Sequence, residues 1–408
     1  MAQSEQDVLV ERLGRYPPDR YPVQHATTQF HLGSVLLHEG EIPRALAALR
    51  TARETFALTG MALEQAKATV MEGIGLRSAG RLDEATVAFT AAGGALGSLG
   101  QPAEQAAAAY NLGLVRQDCQ DTDGAHRAWR QAHDLFTEAG YPAQASAAAR
   151  DHGASLLATG DPAQAEHLLT RALELADTAR DEASVGAAAN ALGLAHLGAG
   201  APDAAVVALH RALSAFPRSL RPAEYAMVKA NLALAHESAG DHARARLAAR
   251  QSVAVPAAAA AVRDQANQVL IRLPGRPADD LLAVLDSEER DRWPGVLREE
   301  LLRAVELPPS RRCEIVSGFL DGVLARPGAS YDLAESLLQV VLELPPRSYE
   351  LVVAALVEAT AGRPEQNTER IRAVIASALA RFALPQWQRL AAGLNAAARA
   401  SGQPATWR

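Results

Sequence analysis

Small and apolar side chains recur along most of this chain with the spacing of paired amphipathic helices. In residues 190–212 (NALGLAHLGAGAPDAAVVALHRA), two apolar helical stretches are separated by Gly200 and Pro202. Glycine readily takes the left-handed conformation that ends a helix, and proline fits the first turn of the next helix. The segment therefore predicts two short helices joined by a tight turn.

The same pattern returns every forty residues in six copies, without insertion or deletion. The small position of the first helix is occupied by Gly33, Gly73, Gly113, Gly153, Gly193 and Ala233. The glycine of the turn is Gly40, Gly80, Gly160, Gly200 and Gly240, and the exception is Gln120. The matching alanine of the second helix is Ala45, Ala85, Ala125, Ala165, Ala205 and Ala245. A strict period of this length indicates a solenoid of stacked helix pairs.

Close packing explains why small residues occupy these positions. A helix pair of this size cannot bury its apolar stripe alone, so it stacks on copies of itself. Glycine or alanine lets two helix backbones approach where they cross, and larger side chains fill the remaining seams. The large core side chains that we expect in the second helices are Leu49, Phe89, Trp129, Leu169 and Leu209.

The ends of the predicted helices carry their own signals. A leading helix is expected over residues 4–15, and one further first helix, without a matching second, over residues 256–272. The prolines expected in first helical turns are Pro43, Pro102, Pro142, Pro162, Pro202 and Pro222. The expected N-caps are Asp121, Asp161 and Asp241. The glycines expected to take the left-handed conformation at repeat ends are Gly60, Gly100 and Gly140.

This arrangement resembles the tetratricopeptide repeat (TPR) in a forty-residue form. The first-helix signature stands at residues 111–113 (NLG), with weaker forms at 190–193 (NALG) and 231–233 (NLA). Repeats of this kind are similar to those of kinesin light chains, Pins-type adaptors and bacterial TPR regulators. The resemblance covers residues 22–256 and implies a right-handed superhelical solenoid of six helical hairpins. It does not define a function, because one fold serves many functions.

A second helical region with a looser rhythm follows the repeats. Leu-Pro pairs begin at Leu273, Leu307, Leu344 and Leu384, and the small-residue signature is gone. The helices expected there cover residues 280–285, 295–305, 313–324, 331–342, 349–357, 368–382 and 387–394. Because period-two alternation is absent, the whole chain is predicted to be all-α. The expected segments are an N-terminal helix and linker (1–21), a TPR solenoid with a capping helix (22–272) and an irregular helical-repeat tail (273–408).

Composition bears on nucleic-acid binding, cellular compartment and membrane insertion. The net charge of −7 provides no basic footprint for nucleic acid. The two cysteines, Cys119 and Cys313, make no disulfide framework, which favours a reducing cytoplasm. The first residues lack the apolar core of a signal peptide, and no run of about 18 apolar residues predicts a membrane span. Only two of the 40 basic residues are lysine, a bias that is typical of a GC-rich genome.

Chemistry-bearing motifs are scarce. The chain has no Walker loop and no His-Glu-x-x-His, and the glycines of residues 193–198 follow no predicted strand. Pairs of histidines share a helix face or a repeat position, but zinc needs a third protein ligand and a supporting shell. His152 beside Asp151 is a weak acid–base pair. We therefore predict no catalytic residue, no cofactor and no metal.

The TPR resemblance implies that the first helices line a concave groove. The predicted groove residues are Phe30, His31, Lys67, Met71, Arg77, Tyr110, Asn111, Gln117, Arg150, Asp151, Asn190 and Asn231. The three asparagines can form a ladder to the backbone of a bound peptide, because each side chain offers a donor and an acceptor. Lys67 and Arg150 can hold an acidic group. The alternative is that the asparagines bond only to neighbouring helices.

These observations favour a non-catalytic scaffold or adaptor that binds a partner peptide or protein segment in the groove. Two alternatives stay open: a regulator that senses a peptide or a small molecule, and a biosynthetic accessory enzyme with a site between solenoid and tail. The tail holds three of the four tryptophans, Trp293, Trp387 and Trp407. We expect core packing for the first two and a frayed Trp407 near the end of the chain. Aromatic residues also mark contact surfaces, so the tail is a candidate for self-association.

Overall fold

A computed structural model describes residues 4–407, and throughout this range the regular secondary structure is helical. Residues 1–3 and 408, which belong to the predicted segments 1–21 and 273–408, lie outside the described residues. The chain divides into two compact units, Met1–Ala199 (unit 1) and Gly200–Arg408 (unit 2). The all-α helical-repeat fold is confirmed, while the segment boundaries at 21 and 272 stay predictions.

Unit 1 consists of one leading helix and nine helices of the repeat region. Their bounds are α1 (Glu5–Arg15), α2 (Pro22–His38), α3 (Ile42–Leu58), α4 (Ala62–Ser78), α5 (Leu82–Ser98), α6 (Pro102–Asp118), α7 (Thr122–Glu138), α8 (Pro142–Ala158), α9 (Pro162–Ala179) and α10 (Glu182–Gly198). We call α2, α4, α6, α8 and α10 the first helices, and α3, α5, α7 and α9 the second helices. Each packs against the next along the chain.

The small positions of the first helices accommodate the large side chains of the second helices. A Cβ atom added at Gly33 would lie 2.5 Å from Leu49, and one added at Gly73 would lie 2.8 Å from Phe89. Gly113 makes the same close approach to Trp129, and Gly153 makes it to Leu169. Four consecutive repeats thus pair a glycine with the large residue sixteen positions later, as the packing argument predicts.

The helix ends of unit 1 follow the sequence signals. The side chains of Asp121 and Asp161 accept hydrogen bonds from backbone N–H groups of Gly124 and Gln164, at 3.0 and 3.1 Å. The prolines expected in first helical turns lie there. The glycines at the turns and repeat ends have positive φ, and they include Gly40, Gly60, Gly80, Gly100, Gly140 and Gly160. The leading helix is capped by Ser4, which exchanges two hydrogen bonds with Asp7.

Gln120 takes the same left-handed conformation, with φ of 61°, although it carries a side chain. A non-glycine residue in this region costs about 1 kcal/mol, since its Cβ crowds the following carbonyl. Gln120→Gly is therefore expected to raise the free energy of unfolding by about 0.5–1 kcal/mol, measured by urea denaturation. Gln120→Ala, which keeps the Cβ, is the matched control and should give no gain. Equal stability of the two variants would contradict the argument.

Unit 2 contains the remaining repeat helices and the tail. Its bounds are α11 (Pro202–Ala215), α12 (Pro222–Ser238), α13 (His242–Val253), α14 (Ala260–Arg272), α15 (Pro277–Ser287), a 3-10 turn (Arg290–Arg292), α16 (Trp293–Val305), α17 (Pro309–Ala325), α18 (Ser330–Glu343), α19 (Pro346–Ala361), α20 (Glu365–Leu379) and α21 (Leu384–Ala400). All seven predicted tail helices are present, and α14 begins four residues later than expected. The side chain of Asp241 caps α13, as predicted.

The tail helices form two layers and not a run of closely packed hairpins. Each helix from α15 to α21 packs more closely on a helix two places away along the chain than on its immediate neighbour in sequence. Leucine, valine and aromatic side chains fill the space between the layers and hold consecutive helices apart. Small residues recur within a layer: Gly318 faces Ala278, and Gly322 faces Leu282. Contrary to expectation, glycines also enable close helix crossings in the tail.

The prediction of a frayed Trp407 is wrong. Its side chain is only 4% exposed and belongs to the core of the tail. The Asn395 side chain accepts a hydrogen bond from the Trp407 backbone N–H at 2.9 Å and donates one to its carbonyl at 2.8 Å. The Arg372 guanidinium stacks over the indole ring. Side-chain bonds to the backbone thus order a segment that helix packing alone would leave loose.

Within residues 4–407, no helix is both long enough and apolar enough to cross a lipid bilayer.

Candidate functional site

Apart from Asn190 on α10, the predicted groove residues of unit 1 lie on equivalent turns of the first helices α2, α4, α6 and α8. We call the surface of α2, α4, α6 and α8 that carries them the first-helix surface. Its members are Phe30, His31, Lys67, Met71, Arg77, Tyr110, Asn111, Gln117, Arg150 and Asp151. His31 and Gln117 are exposed, and the others are half-buried. A repeat of forty residues places equivalent side chains next to one another, because successive first helices stack side by side.

Ion pairs link neighbouring first helices across this surface. The Lys67 Nζ atom of α4 lies 3.4 Å from a carboxylate oxygen of Glu104 on α6. The Arg77 Nε atom of α4 donates to Asp118 of α6 at 2.6 Å. All four side chains are more than one-third exposed. Pairs of this exposure contribute less than about 1 kcal/mol each, so a competing charged ligand can displace them cheaply.

A tighter polar link joins α6 to α8. The Tyr110 hydroxyl donates to Asp151 at 2.6 Å, and the Arg150 guanidinium donates to the other carboxylate oxygen at 2.8 Å. Burial raises the pKa of Tyr110 well above its usual value, and the negative charge of Asp151 raises it further. Tyr110 therefore stays a neutral donor over the whole physiological range. The Arg150 charge, predicted to hold an acidic ligand, already has a partner here.

Removing the Tyr110 hydroxyl should measurably destabilise the fold. Tyr110→Phe is expected to lower the free energy of unfolding by about 1.5 kcal/mol, the lower end for a bond to a charged group. The lower end applies because Asp151 keeps Arg150 as a partner. Tyr141→Phe is the control, since that ring is 46% exposed. Equal stability of the two variants in urea titrations would exclude a structural role for the bond.

The three predicted ladder asparagines have different surroundings. The Asn111 amide donates to the Ala107 carbonyl of its own helix at 2.8 Å. Asn190 is 7% exposed. In unit 2, Asn231 is 5% exposed, and its side-chain oxygen accepts a hydrogen bond from Gln265 at 2.9 Å. Among the three, Asn111 is the half-buried one, and so the one best placed to reach a ligand.

The sequence reasoning did not identify Glu104 as part of the surface. The signal that could have found it is spacing: Lys67 and Glu104 are 37 residues apart, near one repeat length. Arg77 with Asp118 and Tyr110 with Asp151 are each separated by 41 residues. Complementary side chains about one repeat apart therefore identify contacts between successive first helices.

Unit 1 also brings polar side chains together away from this surface. A His126 ring nitrogen lies 3.0 Å from the Ser155 hydroxyl, and the His126 and His152 rings are 4.8 Å apart. A nucleophile of the Ser–His type needs a third group that orients the base. Among residues 4–407 no hydrogen bond joins a carboxylate to His126, and no three His, Cys, Asp or Glu side chains converge as metal ligands.

Three solved structures are partly similar to the chain. BtubC (BKLC) from P. vanneervenii is 18% identical over 58% of this chain and 91% of that chain, with a TM-score of 0.45. The apo form of RapI is 14% identical over 87% of this chain and 99% of that chain, with a TM-score of 0.46. The apo form of the quorum sensor NprR from B. thuringiensis is 12% identical over 91% and 97%, with a TM-score of 0.44.

Because these scores and identities are low, the similarities carry no argument about function. The sequence matches no protein-family profile and no curated protein.

Proposed function

We propose that this chain is a non-catalytic scaffold or adaptor of the forty-residue TPR type that works in the cytoplasm. Its first-helix surface holds an extended segment of a partner protein. The observation that carries the proposal is a row of half-buried apolar side chains, Phe30, Met71 and Tyr110, set between charge pairs that a ligand can displace. The three apolar side chains come from successive first helices, and both charge pairs join α4 to α6.

A peptide segment bound on the first-helix surface would make both apolar and polar contacts. Covering a half-buried apolar side chain contributes about 25 cal/mol for each Å² removed from water, so several small contacts add up along a row. Lys67 and Arg77 supply cations for an acidic partner, at the small cost of leaving Glu104 and Asp118 to water. Asn111 and the exposed Gln117 can satisfy backbone groups of an extended peptide, which need partners once covered.

Two parts of the proposal concern unit 2. Asn231 is assigned the same ligand-facing role there, which requires it to exchange its bond with Gln265.

The tail is assigned self-association, supported by the exposed side chains of Tyr331 and Leu384, at 45% and 65% exposure. Light scattering of the full chain and of Leu384→Asp compares their oligomeric states. An unchanged state in that variant removes Leu384 from any contact between copies.

The experiment for peptide binding begins with affinity capture from the source cell and identification of the bound segment. Calorimetry with a synthetic peptide then compares variants of the full chain. Asn111→Ala is expected to weaken binding by about 1–3 kcal/mol, the cost of unpaired polar groups. Gln131→Ala, an exposed amide on second helix α7, is the matched control. Equal affinity of the two variants would exclude Asn111 from the binding site.

A sensing regulator is the second candidate, and the cross-helix ion pairs favour it. A ligand that takes Arg77 from Asp118 removes a tie between α4 and α6, and can thereby change how these helices pack. Binding would then alter the solution shape of the protein. Small-angle scattering with and without the captured peptide distinguishes the candidates, because a scaffold keeps its profile and a sensor changes it.

A further inference from the structure

Two ion pairs join first helices α4 and α6, and both have the same polarity. In each pair the cation belongs to α4 and the anion to α6: Lys67 with Glu104, and Arg77 with Asp118. The first pair lies near the beginnings of the two helices, and the second lies in their last turns. We call these four side chains the α4–α6 charge seam.

The seam is most clearly polar at the pair of Arg77 and Asp118. At the other end, the half-buried Glu64 lies one turn before Lys67 on α4 and reduces the excess of positive charge there. Burial raises the pKa of Tyr110, and the nearby Arg77 charge opposes this effect, so Arg77 lies close to the apolar row. Other charged side chains of α4 and α6 have partners away from the seam: Glu72 with Arg50 and Arg53, and Arg116 with Asp121.

A partner with only one sign of charge gains little from this arrangement. An acidic side chain that takes Arg77 leaves Asp118 unpaired beside it, and the two carboxylates repel each other at short range. A partner that brings both signs replaces each contact that it displaces and avoids this repulsion. The seam therefore discriminates between partners by the pattern of their charges more than by their net charge.

The spacing of the two helices limits how far apart the partner charges lie. Helices α4 and α6 contact each other, and contacting helices have axes about 8–10 Å apart. An extended chain advances about 3.3 Å per residue. An extended segment that crosses from α4 to α6 thus covers the distance in about three residues.

We propose that the α4–α6 charge seam binds a protein segment that carries one acidic and one basic side chain about three residues apart. The acidic side chain pairs with Arg77, and the basic side chain pairs with Asp118. Lys67 and Glu104 offer the same polarity to a second pair of charges. This inference rests on the proposed function, because it specifies which segments the first-helix surface binds.

The test uses four fluorescein-labelled synthetic peptides and the full chain. Each peptide consists of alanine, serine and leucine, with two charged residues separated by two others. The charged residues are glutamate then arginine, arginine then glutamate, two glutamates, or two arginines. Fluorescence anisotropy should show that one of the mixed peptides binds about tenfold more tightly than either like-charged peptide.

Single charge reversals in the seam give the sharper comparison. Asp118→Arg makes both sides of the seam positive and should shift the preference to the peptide with two glutamates. Arg77→Asp should shift it to the peptide with two arginines. Asp134→Arg and Arg127→Asp make the same changes in net charge at exposed positions of second helix α7, and they should leave the preference unchanged. Circular dichroism confirms that each variant is folded.

Equal binding of the four peptides would overturn the inference, and so would equal shifts of preference in the seam variants and the α7 variants. The absence of binding of all four peptides at millimolar concentration would also overturn it. Met71→Ala distinguishes this failure from failure of the proposed function. If that variant weakens all four peptides alike while their charges make no difference, the first-helix surface binds peptides and only the charge pattern is wrong.

Discussion

Replacing Gly113 with leucine is expected to lower the free energy of unfolding by about 3 kcal/mol, the upper end for overpacking a core. A Cβ atom at this position would lie 2.5 Å from both Cδ1 and Nε1 of Trp129. The indole ring is fully buried and is enclosed between helices, so it cannot swing into solvent. The clash must instead separate α6 from α7, and the separation would propagate to the neighbouring repeats.

Gly94→Leu is a matched control for this variant. Gly94 is an exposed residue inside α5, and no atom lies within 4 Å of a Cβ placed there. Leucine is a better helix former than glycine by about 0.8 kcal/mol, so the control should be slightly stabilised. Urea denaturation followed by circular dichroism compares the two. A Gly113→Leu variant that is as stable as Gly94→Leu would show that α6 and α7 do not pack in this register.

Loss of the Asp280 carboxylate in unit 2 should lower the free energy of unfolding by an amount similar to that expected for Gly113→Leu. Asp280 of α15 is 2% exposed and lies between two arginines of α13. Arg246 Nε donates to it at 2.8 Å, and Arg250 binds its second oxygen. Asp280→Ala leaves two guanidinium groups close together and largely removed from water. Removing one partner of a buried ion pair costs about 3–5 kcal/mol of stability. Because the two arginines are partly exposed to water, we expect Asp280→Ala to lower the free energy of unfolding by about 3 kcal/mol.

Asp279→Ala tests whether the effect is specific. Asp279 is the adjacent carboxylate on the same helix, and it is exposed. Its removal should change the thermal midpoint by little, because an exposed charge without a close partner contributes little to stability. If both variants melt at the same temperature, Asp280 does not hold α15 against α13, and the description of this contact is wrong.

The fold of the repeats was readable from sequence because several independent signals share one period. Gly113 and Trp129 illustrate this agreement: each occupies a repeated position, and each is explained by the same helix crossing. The tail has no strict repeat, so no set of independent signals points to the same packing. Its helices follow from apolar runs, but their layering depends on which large side chains meet at long range, and a single sequence does not show that. Trp407 was misjudged because its anchor, Asn395, acts through the backbone.

The helix positions of the candidate residues could be predicted from the sequence, but the hydrogen bonds between their side chains could not. Helix periodicity predicts Tyr110 and Arg150 on a common surface, and in the structure both side chains donate to Asp151. The bond from Tyr110 to Asp151 depends on the side-chain directions of two different helices, so spacing alone did not define it.

We propose that the first-helix surface of unit 1 contacts the partner. The most direct measurement is photo-crosslinking in the source cell, with a benzophenone amino acid placed singly at Met71, at Gln117 or at Val87. Met71 and Gln117 belong to the first-helix surface. Val87 is a 69% exposed residue of second helix α5 and serves as the control for random collision. Mass spectrometry identifies the crosslinked segments.

We expect Met71 and Gln117 to crosslink to one and the same segment of a partner protein, and Val87 not to crosslink to it. The first-helix surface would not be the partner site if Val87 captured that segment as efficiently as Met71 and Gln117, or if neither position of that surface captured any segment.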